Sequence, residues 1–228
     1  MRMKALITGA SSGIGKEMAK VLASRGWDLI VVARREQLLL DLKAELDCDV
    51  QVCVCDLSQV SQVKGLCKAL KDESIELVIN NAGFGDLGFF DETDEQKEIN
   101  MINTNITALH ILTKYFVKRF KQQNHGYILN VASIAAFAPG PMMATYYATK
   151  AYVLRLSLAI NKELQKAKSN VRISVLCPGP VKTEFNEVAN SSFAIAGMDA
   201  SEVATYAIDQ TLQKKQLIFL TIILFRKE

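Results

Sequence analysis

Seven short apolar runs recur along the chain, and amphipathic helical patterns fill most of the intervals between them. Strands buried on both faces of a parallel sheet are apolar throughout, and the helices that connect them cover the two faces. The sequence therefore predicts an α/β fold, a doubly wound three-layer sandwich with a mainly parallel sheet of about seven strands. The predicted strands are residues 4–8, 28–33, 50–55, 76–80, 126–132, 171–176 and 217–224, and the predicted helices include residues 37–46, 60–70, 99–121 and 201–214.

The first apolar run ends in a glycine-rich turn, residues 9–15, which a helical pattern follows directly. Glycines let the backbone approach a pyrophosphate, and the start of a helix presents free N–H groups and the positive end of its dipole. The spacing differs from the common G-x-G-x-x-G motif, and an ordinary tight turn is the alternative. We favour a Rossmann-like, NAD(P)-binding domain that covers residues 1–228. The predicted contacts of this turn are Thr8, Gly9, Ser11, Ser12, Gly13, Ile14 and Gly15.

Two arginines, Arg34 and Arg35, follow the second predicted strand. In a dinucleotide site, the residue at this position meets the adenosine ribose. An acid there accepts hydrogen bonds from a 2′-hydroxyl, whereas an arginine pairs with a 2′-phosphate. Because the first acid here is Glu36, the sequence predicts that NADP(H) is preferred over NAD(H), with both arginines in the cofactor site. The alternative is that the two arginines open an exposed helix.

Other polar and small residues follow the later strands. Because the crossovers are right-handed, the carboxyl ends of all parallel strands meet at one edge, where doubly wound sheets bind ligands. We predict that Asp56 and Leu57 contact the adenine ring. Small residues beside Asn81 would allow close approach of a cofactor, while the Asn81 side chain bridges neighbouring strands. The residues predicted at this edge are Asp56, Leu57, Asn81, Ala82, Gly83, Ser133 and Pro178.

A tyrosine and a lysine, Tyr146 and Lys150, stand four residues apart and share one face if the segment is helical. A fixed cation stabilises a phenolate, so we expect Lys150 to lower the pKa of Tyr146 below its ordinary value of about 10. Such a tyrosine can exchange a proton with a carbonyl or alcohol oxygen. Tyr147 has Ala151 at the corresponding position and lacks this partner. Taken alone, the pair is also compatible with an ordinary surface helix.

Together these motifs resemble the short-chain dehydrogenase/reductase family over residues 4–183. The family's TGxxxGxG, NNAG and YxxxK motifs correspond to residues 8–15, 80–83 and 146–150. Its active-site serine precedes its tyrosine by thirteen residues, as Ser133 precedes Tyr146. Matches in this order and at these separations favour an enzyme over an ordinary surface helix.

The resemblance implies a role for each matched residue. Tyr146 is the general acid in reduction and the general base in oxidation, Lys150 lowers its pKa and binds the nicotinamide ribose, and Ser133 donates a hydrogen bond to the substrate oxygen. Asn105 holds a water that connects Lys150 to solvent, although other asparagines stand nearby. Residues after the sixth strand anchor the nicotinamide. The resemblance thus adds Asn105 to the catalytic set, and Tyr146, Lys150, Pro178, Gly179, Val181 and Thr183 to the cofactor contacts.

The predicted function is an NADP(H)-dependent oxidoreductase that interconverts a ketone or aldehyde with an alcohol. Residues 84–90, 135–145 and 184–198 are rich in Phe, Met, Ala and Gly, which favours an apolar substrate unless they only pack in a lid. The alternatives are a 3-oxoacyl-thioester reductase of fatty-acid type and a non-catalytic NADP(H)-sensing or scaffold protein on the same fold.

One departure concerns the end of the chain. Family members commonly continue past the last strand with a segment that covers the substrate, whereas this chain ends soon after Leu224. A more open site, closure by a partner subunit and a shortened sequence all remain compatible with this difference.

Composition and charge restrict the kinds of partner that we expect this protein to bind. The chain has 228 residues, of which 50% are hydrophobic and 22% are charged, and its net charge is +3. No basic run suggests nucleic-acid binding, and the apolar run 217–225 is too short to span a membrane as a helix. The first predicted strand begins at residue 4 without the pattern of a secretory signal, so we expect a cytoplasmic protein. The long helix 99–121 is apolar on more than one side, which favours a homodimer or homotetramer.

The five cysteines and two histidines lack the spacing of a metal site, so no metal is predicted. The cysteines are expected to be buried, reduced thiols. Cys53 and Cys55 alternate along the third predicted strand and should share one of its faces.

Overall fold

The computed structural model describes residues 2–185, 189 and 197–220. Within that part of the chain, seven parallel strands form one sheet in the order β3-β2-β1-β4-β5-β6-β7. This confirms the predicted α/β sandwich. The strands are β1 Lys4–Thr8, β2 Asp28–Ala33, β3 Val50–Val54, β4 Leu77–Asn80, β5 Tyr127–Val131, β6 Arg172–Pro178 and β7 Leu217–Leu220.

Helices connect the strands and cover both faces of the sheet. The helices α1, α2 and α7 pack on one face, and α3, α5 and much of α6 pack on the other. Two shorter helical segments, one π-helical and one 3₁₀, adjoin α5 and α6. The helices are α1 Gly13–Ser24, α2 Glu36–Glu45, α3 Val60–Ala69, α4 Glu95–Ile102, α5 Leu109–Gln123, α6 Ala144–Lys166 and α7 Ala200–Leu212, with the π-helical segment Asn103–Ala108 and the 3₁₀ helix Ile134–Phe137.

Alternation along the central strand β1 shows why apolar runs form this sheet. Ala5 and Ile7 pack into the cluster beneath α1 and α7, whereas Leu6 packs into the opposite cluster beneath α3 and α5. All three side chains are fully buried. Because burying one large aliphatic side chain contributes about 1.5–3 kcal/mol, a strand that is apolar on both sides is stable only between two helical layers.

The observed bounds differ from the predicted ones by no more than two residues for most strands and helices. The exception is the helical stretch predicted over residues 99–121. It begins earlier, at Glu95, because the carboxylate of Asp94 accepts a hydrogen bond from the Lys97 N–H at 2.6 Å and caps the helix. It also contains the π-helical segment, which the sequence did not predict. Of the predicted strand 217–224, the last four residues lie outside the described residues.

Buried amides link the two strands at the centre of the sheet to the helices above them. The Asn80 side chain donates to Thr113 Oγ1 at 3.1 Å and to Asn130 Oδ1 at 2.8 Å. Asn130 in turn donates to Ser157 Oγ at 2.9 Å. Thr113 lies on α5 and Ser157 on α6, so these amide links fix β4 and β5 relative to both helices.

The strand order reverses at β1, because β2 and β3 lie on one side of it and β4 to β7 lie on the other. In a doubly wound sheet, such a switch point leaves a crevice beyond the carboxyl ends of the two diverging strands. The residues that follow β1 and β4 are Gly9 and Asn81. The fold therefore brings the predicted phosphate-binding turn and the predicted cofactor contact at Asn81 together at this crevice.

The five cysteines are free thiols. Cys53 and Cys55 both pack into the cluster beneath α3 and α5, which confirms that they share one side of the sheet. Burial raises the pKa of Cys55 to about 11, so this thiol is unreactive at neutral pH.

In residues 2–185, 189 and 197–220, no group of three or more His, Cys, Asp or Glu side chains could hold a metal ion. None of the helices in that part of the chain is long and apolar enough to cross a membrane.

Candidate active site

A cleft of about 420 Å³ opens at the carboxyl edge of the sheet, beyond β1 and β4. It brings together residues that are far apart in sequence, from the first strand to the segment after β6. Most of the predicted site residues line it, namely Gly9, Ser11, Ser12, Gly13, Ile14, Arg34, Arg35, Asp56, Leu57, Asn81, Ala82, Gly83, Ser133, Tyr146, Lys150, Pro178, Gly179, Val181 and Thr183.

Three predicted residues, Thr8, Gly15 and Asn105, are absent from this lining and lie behind it. The Thr8 hydroxyl donates to the Ile79 carbonyl and accepts the backbone N–H groups of Asn81 and Ala82 at 3.0 and 3.1 Å. Thr8 thus ties the end of β1 to the loop after β4. All three residues are buried, and their predicted part in the site stays a prediction.

The glycine turn packs too tightly for any side chain at its first and last glycines. A Cβ on Gly9, whose φ is +67°, would lie 2.8 Å from the Ala82 Cα. A Cβ on Gly15 would clash with the Asn81 amide and with the Gly9 carbonyl. The Asn81 amide donates to the carbonyls of Thr8 and Gly9 at 3.1 and 3.2 Å, which confirms that it bridges neighbouring strands.

The start of α1 has the properties of an anion site. Ser12 occupies the N-cap position but makes no side-chain capping bond, and the first turn contains no acid. The first N–H groups of the helix therefore have no side-chain acceptor from the cap residue. Gly13 and Ile14 both line the cleft at this point. A phosphate group is the ligand that such a helix terminus favours.

The π-helical segment places Asn105 against the backbone of Phe84. Its Oδ1 accepts the Phe84 N–H at 3.1 Å, and its Nδ2 donates to the Phe84 carbonyl at 2.9 Å and to Thr149 Oγ1 at 3.1 Å. Asn105 is 1% exposed. It connects the loop after β4 to the helix that carries Tyr146 and Lys150. Its predicted role in holding a water remains a prediction.

Lys150 lines the cleft and is buried, with 5% of its surface exposed. Its Nζ donates to the Val131 carbonyl, the last residue of β5, at 3.0 Å. A Cβ at Gly83 would stand 3.4 Å from that Nζ, so the glycine leaves room for the ammonium group. Burial lowers the pKa of Lys150 to about 8.

Tyr146 is also buried, and the structure corrects the expectation for its acidity. Burial raises the pKa of Tyr146 to about 12, and the Ser133 side chain opposes this change without overcoming it. Lys150 Nζ lies 5.7 Å from the Tyr146 ring centre. The expectation that the pKa of Tyr146 lies below its ordinary value is therefore wrong for the protein's own groups, because desolvation of the phenolate is the largest cause of the shift and Lys150 is not among its causes.

Ser133 is the N-cap of the 3₁₀ helix, where its Oγ accepts the Ala135 N–H at 3.1 Å. This bond uses the oxygen only as an acceptor, so the hydroxyl proton is free to point at another oxygen. Ser133 and Tyr146 line the same cleft. The pair can thus present two hydroxyl donors to one substrate oxygen.

Lys150→Met tests the buried charge through stability. The pKa of Lys150 is about 8 in the folded protein and about 10.5 in the unfolded chain. Between these two pH values, Lys150 is therefore mostly deprotonated in the folded state and protonated in the unfolded state. The stability of the wild type should therefore rise relative to that of the variant from pH 8 to 10.5, by at most about 1.4 kcal/mol per pH unit. Urea unfolding of both proteins at pH 7, 8, 9 and 10 measures the difference. A constant difference would show that the lysine is not held in an unfavourable environment.

An apolar cluster surrounds Tyr146, and we call the part of the cleft that it borders the substrate chamber. Met101, Ala135 and Met143 pack around Tyr146, and partly buried apolar side chains complete the wall. The ring centre of Phe185 lies 5.3 Å from that of Tyr146. The partly buried residues of this cluster are Phe84, Leu87, Tyr147 and Phe185, of which all but Leu87 line the cleft.

The two arginines at the other end of the cleft have different surroundings. Arg35 donates to Ser11 Oγ at 3.1 Å and to Ser12 Oγ at 2.8 Å, and its guanidinium pairs with Glu184 at 2.9 Å. Arg34 is exposed and has no ion pair with a residue in the described part of the chain. The sequence treated the two arginines alike, whereas the structure distinguishes them.

A family model described as short chain dehydrogenase matches residues 3–193, which contain the whole cleft lining. The chain belongs to the short-chain dehydrogenase family. This membership makes it an oxidoreductase and confirms the resemblance seen in the sequence motifs.

Curated members of the family are similar over most of this chain. An uncharacterized oxidoreductase of Staphylococcus epidermidis is 31% identical over 211 residues, which cover 90% of both chains. A very-long-chain 3-oxoacyl-CoA reductase of Laccaria bicolor is 30% identical over 86% of this chain and 60% of its own.

Solved structures of family members superpose closely. A short-chain dehydrogenase from Sphingobium yanoikuyae in complex with NADPH is 32% identical, with a TM-score of 0.88 over 95% of this chain and 87% of its own. The bulky-bulky ketone specific alcohol dehydrogenase from Comamonas testosteroni is 33% identical, with a TM-score of 0.83 over 95% and 85%. A family member from Burkholderia phymatum in complex with NAD is 26% identical, with a TM-score of 0.86 over 96% and 88%.

Sequence reasoning missed two residues of this short-chain dehydrogenase site. Thr149 receives the Asn105 amide and donates to the Tyr146 carbonyl at 2.7 Å. Its place inside the YxxxK motif was the available signal. Glu184 pairs with Arg35, which lies 149 residues earlier in the chain, so no local sequence pattern predicts this contact.

Proposed function

We propose that this protein is an NADP(H)-dependent oxidoreductase that interconverts a ketone or aldehyde with an alcohol. The observation that carries the proposal is the convergence of Ser133, Tyr146 and Lys150 on the cleft that the glycine turn also lines. Family membership supplies the reaction class. The fold alone would not distinguish an enzyme from a binding protein, whereas a buried proton donor beside a second hydroxyl supports an enzyme.

The residues present fit a dinucleotide. The glycine turn and the start of α1 would hold the phosphates, Asp56 and Leu57 the adenine, and the backbone of Asn81 to Gly83 the nicotinamide side. Bound there, the nicotinamide supplies or accepts a hydride.

The protein's own groups would move the proton. Because burial holds the pKa of Tyr146 near 12, its hydroxyl keeps the proton at neutral pH, which suits reduction of a carbonyl. Ser133 would donate a second hydrogen bond to the same oxygen, where negative charge develops. Lys150, fixed by the Val131 carbonyl, would place a positive charge behind the tyrosine.

Preference for NADP(H) is supported by Arg34. It lines the adenosine end of the cleft, and its exposed guanidinium is available for a 2′-phosphate. Arginine suits this task because its planar donors match phosphate oxygens. Family structures hold either NADPH or NAD, so the preference depends on this chain's own residues.

The substrate that the chamber favours is an apolar ketone or secondary alcohol, because apolar side chains form its wall around Tyr146. A second candidate, a long-chain 3-oxoacyl thioester, is favoured by apolar side chains on neighbouring loops. Phe89, Phe90 and Met142 are 57%, 70% and 41% exposed. The Gly88 N–H donates to the Met142 carbonyl at 2.8 Å, so these side chains lie on adjoining loops that could receive an acyl chain.

The decisive experiment follows NADPH consumption by the wild-type protein over a panel of aliphatic and aryl ketones, aldehydes, acetoacetyl thioesters and longer 3-oxoacyl thioesters. We expect turnover of bulky apolar ketones that exceeds turnover of small charged ketones. Faster turnover of thioesters that grows with chain length would select the second candidate. NADPH binding without oxidation by any carbonyl would instead support a sensing protein.

The proposal also covers the domain organisation, the oligomeric state and the cellular location of the protein. We propose one dinucleotide-binding domain over residues 1–228 that forms a homodimer or homotetramer in the cytoplasm. Ile99 and Ile102 on α4 are each 40% exposed, and α5 carries further partly buried apolar side chains, which supports a helical interface. Free cysteines suit a reducing compartment.

A further inference from the structure

Arg35 spans the mouth of the cleft between two parts of the chain. On one side, its Nη2 atom donates to the hydroxyls of Ser11 and Ser12, which belong to the glycine turn. On the other side, its Nη1 atom lies 2.9 Å from Oε2 of Glu184, which follows β6. A guanidinium in this position already has an anionic partner supplied by the protein.

Glu184 stands between two residues that matter to the site. The residue before it, Thr183, packs against the phosphate-binding turn, since a Cβ on Gly13 would lie 3.1 Å from its Cγ2. The residue after it, Phe185, stacks near the Tyr146 ring and forms part of the substrate wall. The Arg35–Glu184 ion pair therefore connects the adenosine end of the cleft to the segment that borders the substrate chamber.

We propose that the Glu184 carboxylate competes with the 2′-phosphate of NADP(H) for Arg35 and thereby limits the selectivity for NADP(H) over NAD(H). This inference rests on the proposed dinucleotide site and on Arg34 as the second arginine, which has no ion pair within the described residues. Arg34 and Arg35 both line this end of the cleft, and the guanidinium of Arg35 is paired with Glu184. NADP(H) must displace or share this carboxylate, whereas NAD(H), which has only a 2′-hydroxyl, leaves the pair in place.

The strength of the competition is modest and measurable. The Arg35 and Glu184 side chains are 50% and 47% exposed, so solvent screens the pair. Exposed ion pairs of this kind change binding by about five-fold at most. Glu184 is thus a specificity-determining residue that does not contact the reacting atoms.

Glu184→Gln tests the proposal because it keeps the side-chain shape and removes the charge. Titration of the intact protein with NADPH and with NADH, followed by fluorescence and calorimetry, should show NADPH binding about three- to five-fold tighter and NADH binding unchanged. Glu202→Gln on α7, an exposed position outside the cleft lining, is the matched control for loss of one negative charge. In an Arg35→Ala background, Glu184→Gln should no longer alter NADPH affinity, because the contested cation is gone.

Several outcomes would overturn the inference. Unchanged NADPH affinity, or equal changes for NADPH and NADH, would mean that the ion pair only supports the loop. If Glu184→Gln still altered NADPH affinity in the Arg35→Ala background, Glu184 would not act through Arg35. Failure of the proposed function has a different signature, the absence of carbonyl turnover in the panel, and these binding constants do not depend on turnover.

Discussion

Tyr146→Phe is expected to reduce carbonyl turnover by about two to four orders of magnitude, the contribution of a positioned general acid. The substitution removes only the hydroxyl, and the ring keeps its contacts with Met101, Met143 and Phe185. NADPH affinity should stay within about two-fold, since the phenol makes a small part of the cofactor contact. Steady-state kinetics on the best ketone of the panel, together with NADPH titration, measure both quantities.

Tyr152→Phe is the matched control, because Tyr152 lies on the same helix and its hydroxyl bonds His110 Nδ1 at 2.8 Å outside the cleft. This control should retain the turnover of the wild type. If Tyr146→Phe also retained turnover, another group would have to donate the proton, and the assignment of the site would fail. If it lost NADPH binding along with turnover, the tyrosine would act mainly in binding.

Arg34→Ala is expected to weaken NADPH binding by about ten-fold and to leave NADH binding nearly unchanged. A charge-assisted hydrogen bond contributes about 1.5–3 kcal/mol, and the exposure of Arg34 places this contact at the lower end. Because the contact is between charges at the surface, the difference between the two cofactors should shrink as salt is added. Titration of both cofactors at low and high salt tests each part.

Arg155→Ala is the control for loss of a surface arginine, since Arg155 is exposed on α6 and does not line the cleft. If Arg34→Ala weakened NADPH binding and NADH binding equally, Arg34 would not recognise the 2′-phosphate. If Arg34→Ala weakened NADH binding more than NADPH binding, Arg34 would favour NAD(H), which is the opposite of the prediction.

The positions of the site residues were predictable because parallel strands impose a simple rule. Gly9, Asn81 and Ser133 each follow a predicted strand at or near its carboxyl end, and the fold brings all three to one cleft. Apolar runs located the first six strands to within two residues at each end. The sequence therefore predicted which residues meet, without any knowledge of distances.

The acidity of Tyr146 could not be predicted in the same way. Its neighbour in sequence, Lys150, indicated a lowered pKa, whereas burial by elements from across the chain raises that pKa to about 12. Desolvation depends on everything that surrounds a group, so a local motif gives the charge partner and misses the larger contribution. The ion pair between Arg35 and Glu184 escaped prediction for a related reason, since its partners are brought together only by tertiary structure.

The amide links among Asn80, Asn130 and Ser157 hold together the strands and the helix that carry the proposed catalytic residues. The loops that border the substrate chamber are not part of these links. Asn80 and Asn130 stand directly beneath the strand ends that lead to Asn81 and Ser133, and Ser157 lies two turns along the helix from Lys150. Loops 84–90 and 138–143 attach outside this frame. New substrate preferences could therefore arise by exchange of loop residues while the spacing of proton donor and cofactor stays constant, which makes the protein a suitable scaffold for altered ketone specificity.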